Sequence, residues 1–200
     1  MNLPNKLTIF RILLVPIMVI ISYLNIKGTF LDISIAYWIM GLIFIIASYT
    51  DHLDGKLARK NNQITAFGKF ADPLADKILV LAAMLIFVEA KSLPAWIPTI
   101  VLFREFVVSG YRLIAVEKGG EVIAASIWGK IKTVTQMIAI ILMFININNT
   151  NIFGTFIKGN LTGVELIINI LATVFMLISV IATIFSGWDY VKNGKELLKD

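Results

Sequence analysis

The chain has 200 residues, 58% of them hydrophobic, and a mean hydropathy of +0.85. It is too apolar for an ordinary soluble domain, and its length suits one domain, 1–200, of several membrane spans. The absence of cysteine excludes disulfides and thiolate metal sites, and the single His52 excludes a multi-histidine site. The net charge of +5, in so apolar a chain, points to loops facing anionic lipid headgroups rather than to nucleic acid.

Apolar runs predict an all-α integral membrane protein with six transmembrane helices, at about 8–25, 33–50, 71–90, 94–116, 127–147 and 163–187. The first run follows LPNKL, where Pro4 is able to start a short N-terminal helix lying at the interface. No small-residue cleavage site follows that run, so a cleavable signal peptide is not expected. Gly28 marks the first turn, SLP at 92–94 a tight link, NINNTN at 146–151 a polar turn, and KNGKELLKD a solvated end. Trp38, Trp96, Trp128 and Trp188 fall near span ends, where indole rings form interfacial belts. Gly41, Gly110 and Gly129 are candidates for close helix contact. With the N-terminus inside, only Lys27, Lys91 and Lys158 of the 18 basic residues fall outside. Both termini are therefore expected in the cytoplasm of a multi-pass cell membrane protein.

Between the second and third spans, on the expected cytoplasmic side, lies DHLDGKLARKNNQITAFGKFADPLAD. It holds four carboxylates, Asp51, Asp54, Asp72 and Asp76. Each costs about 2.5–3.5 kcal/mol at the centre of a membrane helix. Four together repel unless cations sit between them. Asp51 and Asp54 are three apart and Asp72 and Asp76 four apart, so each pair shares a helix face. Two helices with facing pairs are able to build a four-carboxylate site. With only oxygen ligands on offer, that site favours Mg²⁺ or Mn²⁺, two ions being expected, for chemistry on phosphates. Gly55 lets a ligand approach the backbone, and Arg59 offers a permanent cation with a fork suited to phosphate.

The order Asp51-x2-Asp54-Gly55-x2-Ala58-Arg59-x8-Gly68-x3-Asp72-x3-Asp76 resembles the signature of the CDP-alcohol phosphotransferases. The resemblance implies a fold of six membrane helices, usually a homodimer. It also implies a reaction in which a cytidine-diphosphate donor passes its phosphoryl-linked group to an alcohol and releases CMP. Asp51, Asp54, Asp72 and Asp76 then look like metal ligands, with Asp76 also taking the proton of the attacking hydroxyl. Gly55 and Arg59 look like contacts to the CDP part, Thr65 like a further nucleotide contact. Asn5 to Thr8 (NKLT) resembles the turn that reaches the cytidine and pyrophosphate, while Asn5 and Thr8 as simple helix caps stay an alternative. Direct in-line attack is preferred over an aspartyl-phosphate intermediate.

A second stretch, REFVVSGYRLIAVEKGGEVIAASIWGKIKTVTQ, brings Arg104, Arg112, Lys130 and Lys132 to the cytoplasmic ends of the fourth and fifth spans. Cations beside a metal site suit an anionic co-substrate. The strings REFVVSGYR and AASIWGKIKT resemble the phosphatidylglycerophosphate synthases within that family. This implies sn-glycerol 3-phosphate as acceptor, its phosphate against Arg112, Lys130 and Lys132, and CDP-diacylglycerol as donor, entering from the lipid. Arg104 with Glu105 is open between a structural ion pair and part of this cluster. The rival readings are a sibling enzyme with another acceptor (inositol phosphate, serine or a lipid), and a divalent-cation transporter. The transporter would want carboxylates at mid-membrane with a polar path across.

Overall fold

The computed structural model describes residues 2–24, 26–60, 66–117, 126–146, 151–153, 161 and 163–194. Side chains are described at these positions except 3, 4, 51–60, 66, 67, 69, 70, 116 and 193. Six long helices are present: α1 (Leu3–Tyr23), α2 (Ile35–Lys60), α3 (Ala66–Glu89), α4 (Trp96–Glu117), α5 (Ile127–Phe144) and α6 (Gly163–Asn193). They correspond one to one to the six apolar runs.

Three of them are long and apolar enough to cross a membrane among the described residues: Asn5–Tyr23 of α1, Ile127–Phe144 of α5 and Gly163–Lys192 of α6. In α2 the apolar part is shorter, Ile35–Thr50. Charges at Asp72, Asp76 and Lys77 in α3, and at Arg104, Glu105 and Arg112 in α4, interrupt the apolar character of those two helices. Helix α6 shows what solvent the bundle is built for. Its buried positions include Asn169, Thr173, Ser179, Thr183 and Ser186, whereas Ile167, Leu171, Ile178, Ile181, Phe185 and Trp188 are exposed. A helix with its polar side inward and its apolar side outward is inverted relative to a water-soluble bundle and suited to lipid.

The N-terminus corrects one expectation. Pro4 opens α1 itself, and residues 3–23 form one helix with no separate interfacial segment. The reason is burial: Asn5, Thr8 and Arg11 are drawn into the bundle, and Val15 and Met18 continue the same face as apolar core. A segment held by its neighbours in this way is part of the bundle rather than a separate helix. A second difference follows Gly28. A two-stranded ribbon, β1 (Thr29–Phe30) paired antiparallel with β2 (Ile33–Ser34), turns at Leu31 and Asp32, both at positive φ. Positive φ at both central residues is the geometry of the tight hairpin turn whose twist matches its strands. The Trp38 indole donates to the Phe30 carbonyl at 3.0 Å and packs edge-on against its ring.

Helix α1 packs along α2 and α3, α6 along α5 and α4, and thinner contacts of α3 with α4 and α5, and of α2 with α5, join the two groups. The core between them is sealed by Phe44, Phe87 and Phe144, with the rings of Phe87 and Phe144 centred 4.7 Å apart. Gly41 makes this possible, because a Cβ there would stand 3.1 Å from Phe144 Cβ. Gly110, by contrast, has nothing within 4 Å of such a Cβ and mediates no close approach among the described residues.

Candidate active site

The inner face of α1 changes character along its length. Asn5, Thr8 and Arg11 recur every three residues, one turn of buried polar groups after another, before the apolar Val15. Thr8 Oγ1 donates to Asp72 Oδ1 at 2.5 Å, and Arg11 Nε donates to the Ala47 carbonyl at 3.2 Å. One helix thereby touches Asp72 near the start of α3, and α2 at Ala47, one turn before Asp51. The capping alternative for Asn5 and Thr8 does not hold, since Asn2 is the N-cap residue of α1 and both side chains lie inside the helix, buried.

Asp72 and Asp76 stand one turn apart on α3, each half-buried. Two half-buried carboxylates at that spacing fit a hard divalent ion that prefers oxygen. Asp51, Asp54, Gly55 and Arg59 belong to the last part of α2, but their side chains lie outside the described residues, as does Thr65 entirely. No group of three or more candidate metal ligands gathers among the described residues.

Beside Asp76 a cavity of about 520 Å³ opens between α3, α4 and α5. Its polar wall carries Asp76, Lys77, Arg104, Glu105, Ser109 and Lys132, with Gln136 deeper. Its remaining wall is apolar, with Leu74, Ile78, Leu102 and Phe106 partly exposed on the outside of the bundle. A cavity that is charged at one end and oily along its flank matches an amphipathic substrate better than a free ion.

Glu105 organises the polar wall. Its Oε1 accepts from Arg104 Nη1 at 2.8 Å and from Lys132 Nζ at 2.6 Å, and its Oε2 lies 3.3 Å from Lys77 Nζ. Lys77 also donates to Ser109 Oγ at 2.7 Å. Both readings of Arg104 and Glu105 therefore apply: the ion pair exists, and it belongs to the cation cluster. Arg104 further donates to Ser186 Oγ.

The three residues expected to hold the acceptor's phosphate are not gathered equally. Lys132 lines the cavity, whereas Arg112 and Lys130 do not. Arg112 Nη2 donates to the Tyr190 hydroxyl at 2.9 Å and its guanidinium lies 5.7 Å from that ring's centre; Lys130 is exposed near the start of α5. Sequence reasoning missed Lys77 and Tyr190. From the sequence Lys77 reads only as one more basic residue on the inner side, although it directly follows Asp76. Tyr190 closes a series of polar residues in an otherwise apolar helix, and that series was the available signal.

The sequence model of the CDP-alcohol phosphatidyltransferase family matches residues 1–185. A Bacillus subtilis protein named CDP-diacylglycerol–glycerol-3-phosphate 3-phosphatidyltransferase is 40% identical, over 99% of this chain and 97% of its own length. Proteins of the same name from Haemophilus influenzae and Rickettsia typhi are 38% and 32% identical, each covering at least 96% of both chains. With the aspartate motif carried on α2 and α3 and the likeness running from end to end, the chain belongs to the CDP-alcohol phosphatidyltransferase family.

Proposed function

We propose that this protein transfers the phosphatidyl group of CDP-diacylglycerol to sn-glycerol 3-phosphate, giving phosphatidylglycerophosphate and CMP. The observation that carries this reading is the end-to-end likeness to relatives that all bear the name of that transferase. The cavity beside Asp76 supports it, because one wall carries Lys77, Arg104 and Lys132 among its charged groups and the other is apolar. The enzyme works as a six-span homodimer with its site and both termini in the cytoplasm. The inverted polarity of α6 supports the membrane setting, and the excess of basic residues at one end supports the orientation.

Asp51, Asp54, Asp72 and Asp76 hold the divalent ions, Mg²⁺ or Mn²⁺. Bound there, the metal neutralises the donor's pyrophosphate and stabilises the charge that develops on departing CMP. Asn5, Thr8, Gly55, Arg59 and Thr65 hold the CDP part. Thr8 also fixes the rotamer of Asp72 through its hydroxyl. Lys132, on the cavity's polar wall, binds the acceptor's phosphate, with Arg112 and Lys130 as the further cations that the family resemblance implies, and one of the acceptor's hydroxyls is thereby brought to the donor. Asp76 accepts that hydroxyl's proton as the oxygen attacks the phosphatidyl phosphorus in line with the leaving CMP oxygen.

The test is CMP release by purified protein in detergent, with CDP-diacylglycerol, Mg²⁺ and one alcohol at a time. Release with glycerol 3-phosphate alone is expected. Release with serine instead would reassign the acceptor and discard the phosphate-binding roles of Arg112, Lys130 and Lys132, whereas release with inositol phosphate would reassign the acceptor and keep them. No release with any alcohol from folded protein would reject the transferase reading, and metal flux into liposomes would then support the transporter.

A further inference from the structure

We propose that Glu105 is a positioning residue that sets Lys77 and Lys132 to receive the acceptor's phosphate, and that Lys77 belongs to the acceptor pocket. The proposal rests on the glycerol 3-phosphate reading above. The observation is convergence: cations from α3, α4 and α5 meet on one carboxylate at the cavity's polar wall. The side chains of Glu105, Arg104 and Lys132 are only 14%, 12% and 10% exposed. Ion pairs this enclosed add little net stability over an apolar filling, so stability alone is a poor reason to keep them.

The charge count points to a ligand. One carboxylate faces three cations, and with Asp76 on the same wall three cations still stand against two carboxylates, an excess of positive charge that favours an anionic ligand. A lysine ammonium has three donors. Lys132 uses one on Glu105, and Lys77 is shared between Glu105 and Ser109, so each retains donors for a phosphate oxygen. Without Glu105 the two lysine side chains would repel each other and swing apart, and each arriving acceptor would have to reassemble the pocket. With it, two flexible side chains are held ready, which lowers the ordering cost of binding. The partition of labour is then that Glu105 touches no substrate and acts through Lys77 and Lys132. Asp76 directly precedes Lys77, so the same turn of α3 carries the proton acceptor and one phosphate contact.

The experiment measures steady-state CMP release by Glu105→Gln, Glu105→Asp and Lys77→Met, varying glycerol 3-phosphate and CDP-diacylglycerol separately. Glu105→Gln and Lys77→Met are each expected to raise the Michaelis constant for glycerol 3-phosphate about tenfold, the value of one charge-assisted hydrogen bond. The constant for CDP-diacylglycerol should stay near wild type. Glu105→Asp keeps the charge but is one methylene shorter, and should fall between wild type and Glu105→Gln. Inorganic phosphate should compete with glycerol 3-phosphate in the wild type and compete more weakly in Glu105→Gln. Equal changes in both Michaelis constants, or a loss confined to turnover in protein that melts like wild type, overturns the proposal. Should Glu105→Gln fail to fold, a folded Glu105→Asp with an unaltered glycerol 3-phosphate constant overturns it as well. Wild-type protein that does not use glycerol 3-phosphate at all rejects the underlying reading instead, and the two failures are distinct.

Discussion

Replacing Thr8 by valine separates two roles that sequence and structure give the same residue. Thr8 is 1% exposed, and valine matches its shape while removing the hydroxyl that donates to Asp72 Oδ1 at 2.5 Å. A hydrogen bond to a charged acceptor contributes about 1.5–3 kcal/mol, or roughly a ten- to hundredfold effect on the equilibrium it supports. Loss of a group that orients a metal ligand typically weakens metal binding by about 10–100-fold, the same range by an independent route. The assay is CMP release titrated with Mg²⁺ at saturating substrates, with a melting curve in detergent as the folding control. The half-saturating Mg²⁺ concentration should rise at least about tenfold, with turnover recovered at high Mg²⁺. An unchanged Mg²⁺ requirement together with a raised Michaelis constant for CDP-diacylglycerol would refute the reasoning and return Thr8 to the nucleotide.

Asp76→Asn should abolish CMP release while leaving CDP-diacylglycerol binding largely intact; normal turnover would remove Asp76 from the role of proton acceptor. Arg112→Ala should raise the Michaelis constant for glycerol 3-phosphate more than that for the lipid donor. A fall in melting temperature with both constants unchanged would instead make the contact with Tyr190 a clamp of α4 on α6. Gly41→Leu places a side chain where even a Cβ meets Phe144 at 3.1 Å, and overpacking of this kind costs about 1–3 kcal/mol. A lower melting temperature in detergent is expected, and an unchanged one would show that α2 and α5 separate freely.

How far the sequence could be read differs from one feature to the next. The six helices were legible because runs of lipid-compatible residues are local, and each run falls on one helix; the ends were less legible, since segments such as Asp51–Lys60 carry a helix well beyond its apolar part. The hairpin at 29–34 was not legible, because Leu31 and Asp32 adopt positive φ without a glycine to announce it. The expected interfacial helix failed for a related reason: Asn5, Thr8 and Arg11 look like surface residues until their buried partners on α2 and α3 are known.

The sequence by itself determined the membrane class, the family and the aspartate motif, since composition, apolar run length and residue spacing are properties of the chain alone. Tertiary structure alone decided which cations share a cavity. Lys77, Arg104, Glu105 and Lys132 come from three helices, and no spacing along the chain predicts their meeting. It also decided that Lys132 lines that cavity while Arg112 turns to Tyr190, 78 residues away in sequence. Charges in a low-dielectric bundle are governed by through-space distance, so their pairing becomes visible only when the helices have packed.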